Sequence, residues 1–403
     1  MSKPIIKRSS LRLRHCVMLL AGTLAATGCV APSQQGVQAV QSSQSASSSP
    51  SELAERWAQL QQRQPRLHTR DAARQLGVSE AQLLATEVGR KAVRLKADEQ
   101  DLQALFERLP ELGRIKTITR NEDAVLERSG EVTPARRDEQ GRVVPGTGFA
   151  GGPIDLRFST ARWGAAFAVV QPGRGGVISR SLQFFDRSGE AVHKVYLDND
   201  QHATQFEQLV ADFRMSEQPT TLAVEPARAL PAQTAPATPS AADLRELRQS
   251  WQELTDVHQF PRLLRELKMS REQALQLIGP DSAWRIRPEA ARALLEEARA
   301  RQQPIMVFVS NGGMTQIYSG LIGKTASAEG WYNVLDPDFN LHLRESAVDH
   351  GWVVRRPTDH GVVTSVEFYD AQGRQIVNFF SRRDRGQHET VQWRSLVEAL
   401  PRS

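Results

Sequence analysis

Thiol chemistry has almost no material to work with in this chain. Only two cysteines occur in 403 residues, Cys16 and Cys29, both inside the N-terminal stretch "CVMLLAGTLAATGC". The body of the protein therefore has no disulfide, no thiolate nucleophile and no cysteine metal cage. Nine histidines are scattered along the sequence without HExxH or paired-ligand spacing, which excludes a resident zinc site of the usual kind. No nucleophile elbow is present, and "FVSNGG" at 308–313 lacks its second flanking glycine. "GTGFAG" at 146–151 has the glycine spacing of a dinucleotide loop. Pro145 precedes it, however, and the strand-like "GPIDLRF" follows where a helix would have to start. Aromatics make up only 6% of the residues, and the net charge of +5 is spread thinly. No basic stretch is interleaved with aromatics, so no nucleic-acid partner is expected.

What is present begins with an export signal. Lys3, Lys7, Arg8, Arg12 and Arg14 precede an apolar run that ends in small residues and Cys29. The run is too short to span a bilayer comfortably. "ATGC" at 26–29 resembles a lipoprotein lipobox, with Ala26 where Leu is commonest and Cys29 as the lipidated residue. Residues 1–29 then read as a signal that takes Cys16 with it. The mature chain would face the periplasm, touching a membrane through its lipid alone. The plainer alternative is an untidy N-terminal extension or a misassigned start codon, in which case the protein would stay in the cytoplasm. Residues 30–50, rich in Ser and Gln, read as a flexible tether.

A second low-complexity stretch, rich in Pro and Ala, covers 216–242 and separates two segments, 51–215 and 243–403. These segments resemble each other. "SLQFFDRSGEAVHKVYL" from Ser181 matches "SVEFYDAQGRQIVNFFS" from Ser365 at an offset of 184, with Asp186/Asp370 and Gly189/Gly373 in register. In the same order "ERWAQL" echoes "QSWQEL", "LGVSEAQLL" echoes "LKMSREQAL", "ITRNEDAVLERSG" echoes "VSNGGMTQIYSG", and "PIDLRF" echoes "DFNLHL". An ordered set of matches means internal duplication. Each half starts with helical spacing, continues in strand-length alternating pieces joined by turns such as "DRSGE", and closes on a short helix. The fold class is α+β with antiparallel sheets.

The histidine with most to explain is His258 in "ELTDVHQFPRLL", set among Leu254, Val257, Phe260, Leu263 and Leu264. Two readings are open. A lone His beside an apolar face is ordinarily a core residue bonded to a backbone carbonyl. Alternatively, Asp256 as N-cap with Gln259 three residues on places His258 in a first helical turn. There the helix dipole disfavours imidazolium and leaves a nitrogen lone pair for a metal. Pro261 then falls just past the tolerated turn, so the helix is expected to start a residue or two later.

Taken together, "TDVHQF", the paired "FFD…G" and "FYD…G" segments, "DLRF" and "NVLDPDFNLHLRE" resemble the bacterial HemS-like haemin transport and haemin-degrading factor family, over about residues 53–401. The resemblance implies two large antiparallel sheets with flanking helices, stacked into one body with a haem cleft between the halves. It implies His258 as axial ligand of haem b and Arg157 over the opposite haem face. Arg271, Arg356 (a position commonly Lys) and Arg383 would oppose the propionates, and Phe308 would pack on the porphyrin. Asn378 stands where Gln is common and Phe380 where Tyr is frequent. Each assignment has an ordinary counterpart, Arg157 as an edge-strand charge paired with a carboxylate and Phe308 as core. The function implied is haem binding and transfer in uptake, with transport components or a haem acceptor as partners. Oxidative opening of the macrocycle with an external electron donor is the enzymatic alternative, and a lipoprotein with a decayed pocket is the third.

Overall fold

The computed structural model describes residues 49–65, 67–134, 139, 152–227, 239–256, 259–383 and 387–403. The signal, nearly all of the tether, "GTGFAG", Cys29 and His258 lie outside them. Local chemistry sets the helix ends. Ser49 caps Pro50–Arg63, in which Leu53, Trp57 and Leu60 recur on one face and are buried. Ser240 and Asp243 form a capping box on Ala241–Gln252, which buries Leu247 and Trp251. The next helical stretch is broken in both halves by one residue in the left-handed region, Gly77 at φ 72° and Lys268 at φ 52°. Thr69–Leu76 and Glu80–Ala85 are thereby separate helices, as are Gln259–Glu266 and Arg271–Leu277.

The repeated Asp…Gly turns have a shared mechanism. Asp186 Oδ1 accepts from the Ser188 and Glu190 amides at 2.9 and 3.0 Å, and Gly189 sits at φ 83°. Asp370 Oδ1 accepts from the Gln372 and Arg374 amides at 2.9 and 2.8 Å, and Gly373 sits at φ 70°.

All strand pairs are antiparallel among the described residues. One sheet has nine strands, in the order Ala92–Leu95, Trp163–Pro172, Ile178–Asp186, Ala191–Leu197, Arg114–Arg120, Ala124–Glu131, Phe339–Arg344, Trp331–Leu335 and Thr325–Ala328. The other has seven: Ala283–Ile286, His350–Thr358, Gly361–Tyr369, Gln375–Ser381, Ile305–Ser310, Met314–Gly320 and Asp155–Phe158. The first six strands of each sheet are counterparts in the duplication. The seventh strand of each comes from the opposite half. Asp155–Phe158 pairs with Met314–Gly320, and Phe339–Arg344 pairs with Ala124–Glu131. Two sheets flanked by helices were implied by the resemblance; their reciprocal strand exchange was not. Each half covers with its neighbour's strand an edge that would otherwise stand unpaired.

Two asparagines fasten the exchange. Asn121 Nδ2 donates to the Ser310 and Ile376 carbonyls at 3.1 and 2.8 Å. Asn311 Nδ2 donates to the Arg120 and Val192 carbonyls at 2.9 and 2.8 Å. The Oδ1 of each accepts from two amides of its own turn. The largest apolar core joins Val307, Val366, Phe368 and Phe379 of the seven-stranded sheet to Leu126 and Leu341 of the nine-stranded one. On the other face of the seven-stranded sheet, Leu247, Trp251, Phe260 and Leu263 of the helices cover Trp352, Val354 and Tyr369.

Candidate functional site

That helix-covered face continues past the helices into a half-open surface, and strand register shows what stands on it. Opposite residues of neighbouring strands share a face. Glu367 is opposite Asn378, Asn378 opposite Phe308, Phe308 opposite Ile317, and Ile317 opposite Asp155. The adjoining rows add Ser365 with Phe380, and Thr315 with Arg157. Phe308, Asn378, Phe380 and Arg157 are half-buried. The Phe308 and Phe380 rings lie 4.9 Å apart, and Arg356 stands 5.6 Å over Phe380. Five candidates scattered through the sequence thus share one sheet face.

Arg271 reaches the same face from its helix. Its guanidinium forks onto Glu367, Nε to Oε2 at 2.7 Å and Nη2 to Oε1 at 2.6 Å. Glu367 is fully buried and also accepts from Ser365 Oγ at 2.8 Å, Tyr369 Oη at 2.7 Å and Gln375 Nε2 at 3.2 Å. Arg356, buried as well, donates to Ser365 Oγ at 2.8 Å and lies 3.7 Å from Glu367. Arg356 Nε and Asn378 Oδ1 are buried without a partner among the described residues. Burial pushes Arg356 down to about 10, with Glu367 opposing the shift and Arg271 and Arg383 adding to it. Arg383 follows the Gln375–Ser381 strand; burial lowers it and Glu389 opposes that.

Arg157 is the one candidate haem contact that comes from the first half. Its strand belongs to the seven-stranded sheet itself, at the sheet edge, because of the exchange. It bonds Asp155 on the same strand and the Leu156 carbonyl at 3.1 Å, so the ordinary edge-pairing is realised on the very face that carries Phe308. His258 and Val257 lie outside the described residues, but Thr255, Asp256 and Gln259 are held. Gln259 Oε1 accepts from the Thr255 and Asp256 amides at 2.9 and 3.3 Å, and the Asp359 amide donates to the Thr255 carbonyl at 3.0 Å. The described part of the helix runs Gln259–Glu266 and contains Pro261; the two residues that decide its start, 257 and 258, lie outside the described residues.

Sequence reasoning passed over Glu367, Ser365, Tyr369 and Gln375. The signal was there in "SVEFYD": an acid inside an otherwise apolar strand needs buried partners. Burial works against the Glu367 charge, but Arg271, Arg356 and Tyr369 outweigh it and hold the carboxyl down to about 2. A folded pKa below the unfolded value of about 4.3 stabilises the fold above that value. The contribution, on the order of 3 kcal/mol, is lost as pH falls from about 4.3 to 2. Urea midpoints should drop through that window in the native protein and much less in Glu367→Gln; parallel curves would sink the assignment.

Among the described residues no three His, Cys, Asp or Glu side chains gather as a metal site, and no helix is long and apolar enough to cross a membrane. The sequence profile of the haemin-degrading HemS/ChuX domain matches twice, over residues 77–213 and 268–400. The chain belongs to the HemS/ChuX family. The hemin transport protein HmuS of Yersinia pestis is 36% identical over 350 residues, covering 86% of this chain and 97% of that one. HemS of Yersinia enterocolitica is 36% identical over 348 residues, covering 86% and 96%. Among solved structures, holo-PhuS, a heme-binding protein from Pseudomonas aeruginosa, superimposes with TM-score 0.78 at 38% identity, over 88% of this chain and 100% of that one. The heme degrading enzyme ChuS of Escherichia coli O157:H7 does so with TM-score 0.75 at 31% identity, over 88% and 100%. The two HemS/ChuX domains are the two halves of the duplication, and each completes its sheet with a strand from the other.

Proposed function

We propose that this HemS/ChuX protein binds haem and hands it on in bacterial haem uptake, with the porphyrin seated on the open face of the seven-stranded sheet. The observation that carries this reading is the pair of unpartnered buried polar atoms, Arg356 Nε and Asn378 Oδ1, beside the half-covered Phe308 and Phe380 rings. An unmet buried polar group costs about 1–3 kcal/mol, which a ligand with an apolar body and carboxylate arms would relieve. Haem has that shape, and the Asn378 amide can offer either atom by a flip. His258 is the axial ligand, Arg157 serves the opposite face, and Arg271, Arg356 and Arg383 oppose the propionates: Arg356 and Arg383 by guanidinium groups whose fork matches a carboxylate, and Arg271, whose fork is held by Glu367, by its charge.

Titrating haemin into the purified protein is expected to give a saturable Soret shift. Adding ascorbate separates the carrier from the second reading, oxidative opening of the macrocycle, which the family description and ChuS support. Loss of the Soret band with a new long-wavelength product would favour the degrader. The lipid anchor belongs to the same proposal. Cys29→Ala should move the protein from the membrane to the soluble fraction, and a native protein already found soluble would end that part of it.

A further inference from the structure

A buried carboxylate holding two arginines is not what fold stability alone would select. Ion pairs of this kind are often matched or bettered by apolar residues of similar volume. Resting on the haem seat proposed above, we infer that Glu367 is its positioning residue: through Arg271 and Phe260 it fixes the helix that follows His258, and through Ser365 and Arg356 it fixes the cationic wall.

The contacts form an unbroken path. Arg271 forks onto Glu367 and lies 4.9 Å over the ring of Phe260. Phe260 is fully buried in the first turn of Gln259–Glu266, two residues after His258, and packs edge-on against Trp251 at 5.0 Å. The hairpin tip at Asp359 holds the other side of the same loop. One carboxylate therefore orders groups from the Arg271–Leu277 helix and from the strands carrying Arg356, Tyr369 and Gln375.

The counterpart face of the nine-stranded sheet shows what the duplication did not keep. Gln183 stands where Glu367 does and donates to Ser181 Oγ at 3.0 Å. Glu80 stands where Arg271 does and pairs with Lys194, the counterpart of Asn378. Ile118 and Tyr196 replace the two phenylalanines, and Thr69 replaces Phe260. The Glu–Arg–Phe path exists in the second half alone, so the positioning device specifies one seat.

The test titrates haemin into the full chain, Glu367→Gln and Tyr369→Phe, recording affinity, Soret maximum and electron-paramagnetic spin state at saturation. Glu367→Gln, with its far-ultraviolet dichroism intact, is expected to bind roughly 10- to 100-fold more weakly, as for a lost outer-shell partner. Its saturated complex should show an altered spin-state mixture. Tyr369→Phe, which removes one donor to Glu367, should shift both readouts in the same direction and less far. A purely structural role would lower the melting temperature and leave the saturated spectrum native; that result overturns the inference. Should Glu367→Gln fail to fold, Tyr369→Phe decides, and native affinity with a native spectrum overturns it. A native chain that does not bind haemin takes the haem reading and this inference down together, whereas native binding with unaltered variants removes this inference alone.

Discussion

His258→Ala is expected to abolish the saturable Soret shift and to weaken haemin binding by at least about 100-fold, more than the loss of an outer-shell partner. The porphyrin would keep its apolar surface on Phe308 and Phe380 and its charge complement in the arginines, so a weak, broad-spectrum association should remain. On the proposed seat it would lose the imidazole nitrogen assigned to the iron. Added imidazole should restore part of the spectrum. Arg157→Ala, by contrast, should alter the far side of the haem and any degradation while sparing most of the affinity. An unchanged Soret band in His258→Ala would defeat the assignment, and the fold shows why His193 and His342 are poor substitutes. His193 is fully buried, its Nδ1 lies 2.8 Å from Thr119 Oγ1, and burial pushes it down to about 3. His342 stands in the nine-stranded sheet with Nδ1 2.7 Å from Asn333 Oδ1. Neither strand belongs to the sheet that carries Phe308.

Asn121→Ala and Asn311→Ala should each cost about 3 kcal/mol, near the upper end for a single substitution. Each side chain makes four hydrogen bonds, two within its own turn and two to carbonyls beyond it. A net value of about 0.5–1 kcal/mol for each of the four bonds, with the carbonyls left without partners adding to it, gives about that figure. Asn121 crosses to the second half and Asn311 to the first, so both losses fall on the exchanged sheets. The urea midpoint should fall with an unchanged slope in each variant. Because the two turns share neighbouring strands, the double variant should depart from additivity. A loss below about 0.5 kcal/mol, the range of ordinary surface substitutions, would show that strand pairing alone carries the exchange.

Much of the fold was legible because it is written in short range. Alternation in "SLQFFD" and "AVHKVYL" and the Asp…Gly turns between such pairs each depend on residues within a few positions, and each appears where that chemistry puts it. Gly77 and the cap at Ser79 end one helix and start the next within residues 69–85 by the same short-range chemistry. The family resemblance named Arg271 and Arg356 as cations facing a ligand. It did not reveal Glu367 between them, because the partner of a buried charge is chosen by packing and not by spacing.

The sequence by itself determined that this protein is a duplicated α+β chain of the haemin family, since repeats, turns and periodicities are local and survive translation along the chain. Only the tertiary structure decided that the halves exchange a strand, that Arg157 thereby stands on the same sheet face as Phe308, and that Glu367 ties Arg271 to Arg356. Hydrogen-bond partners on neighbouring strands can come from anywhere in the chain. Register between distant segments is settled by which edges and buried charges would otherwise go unmet.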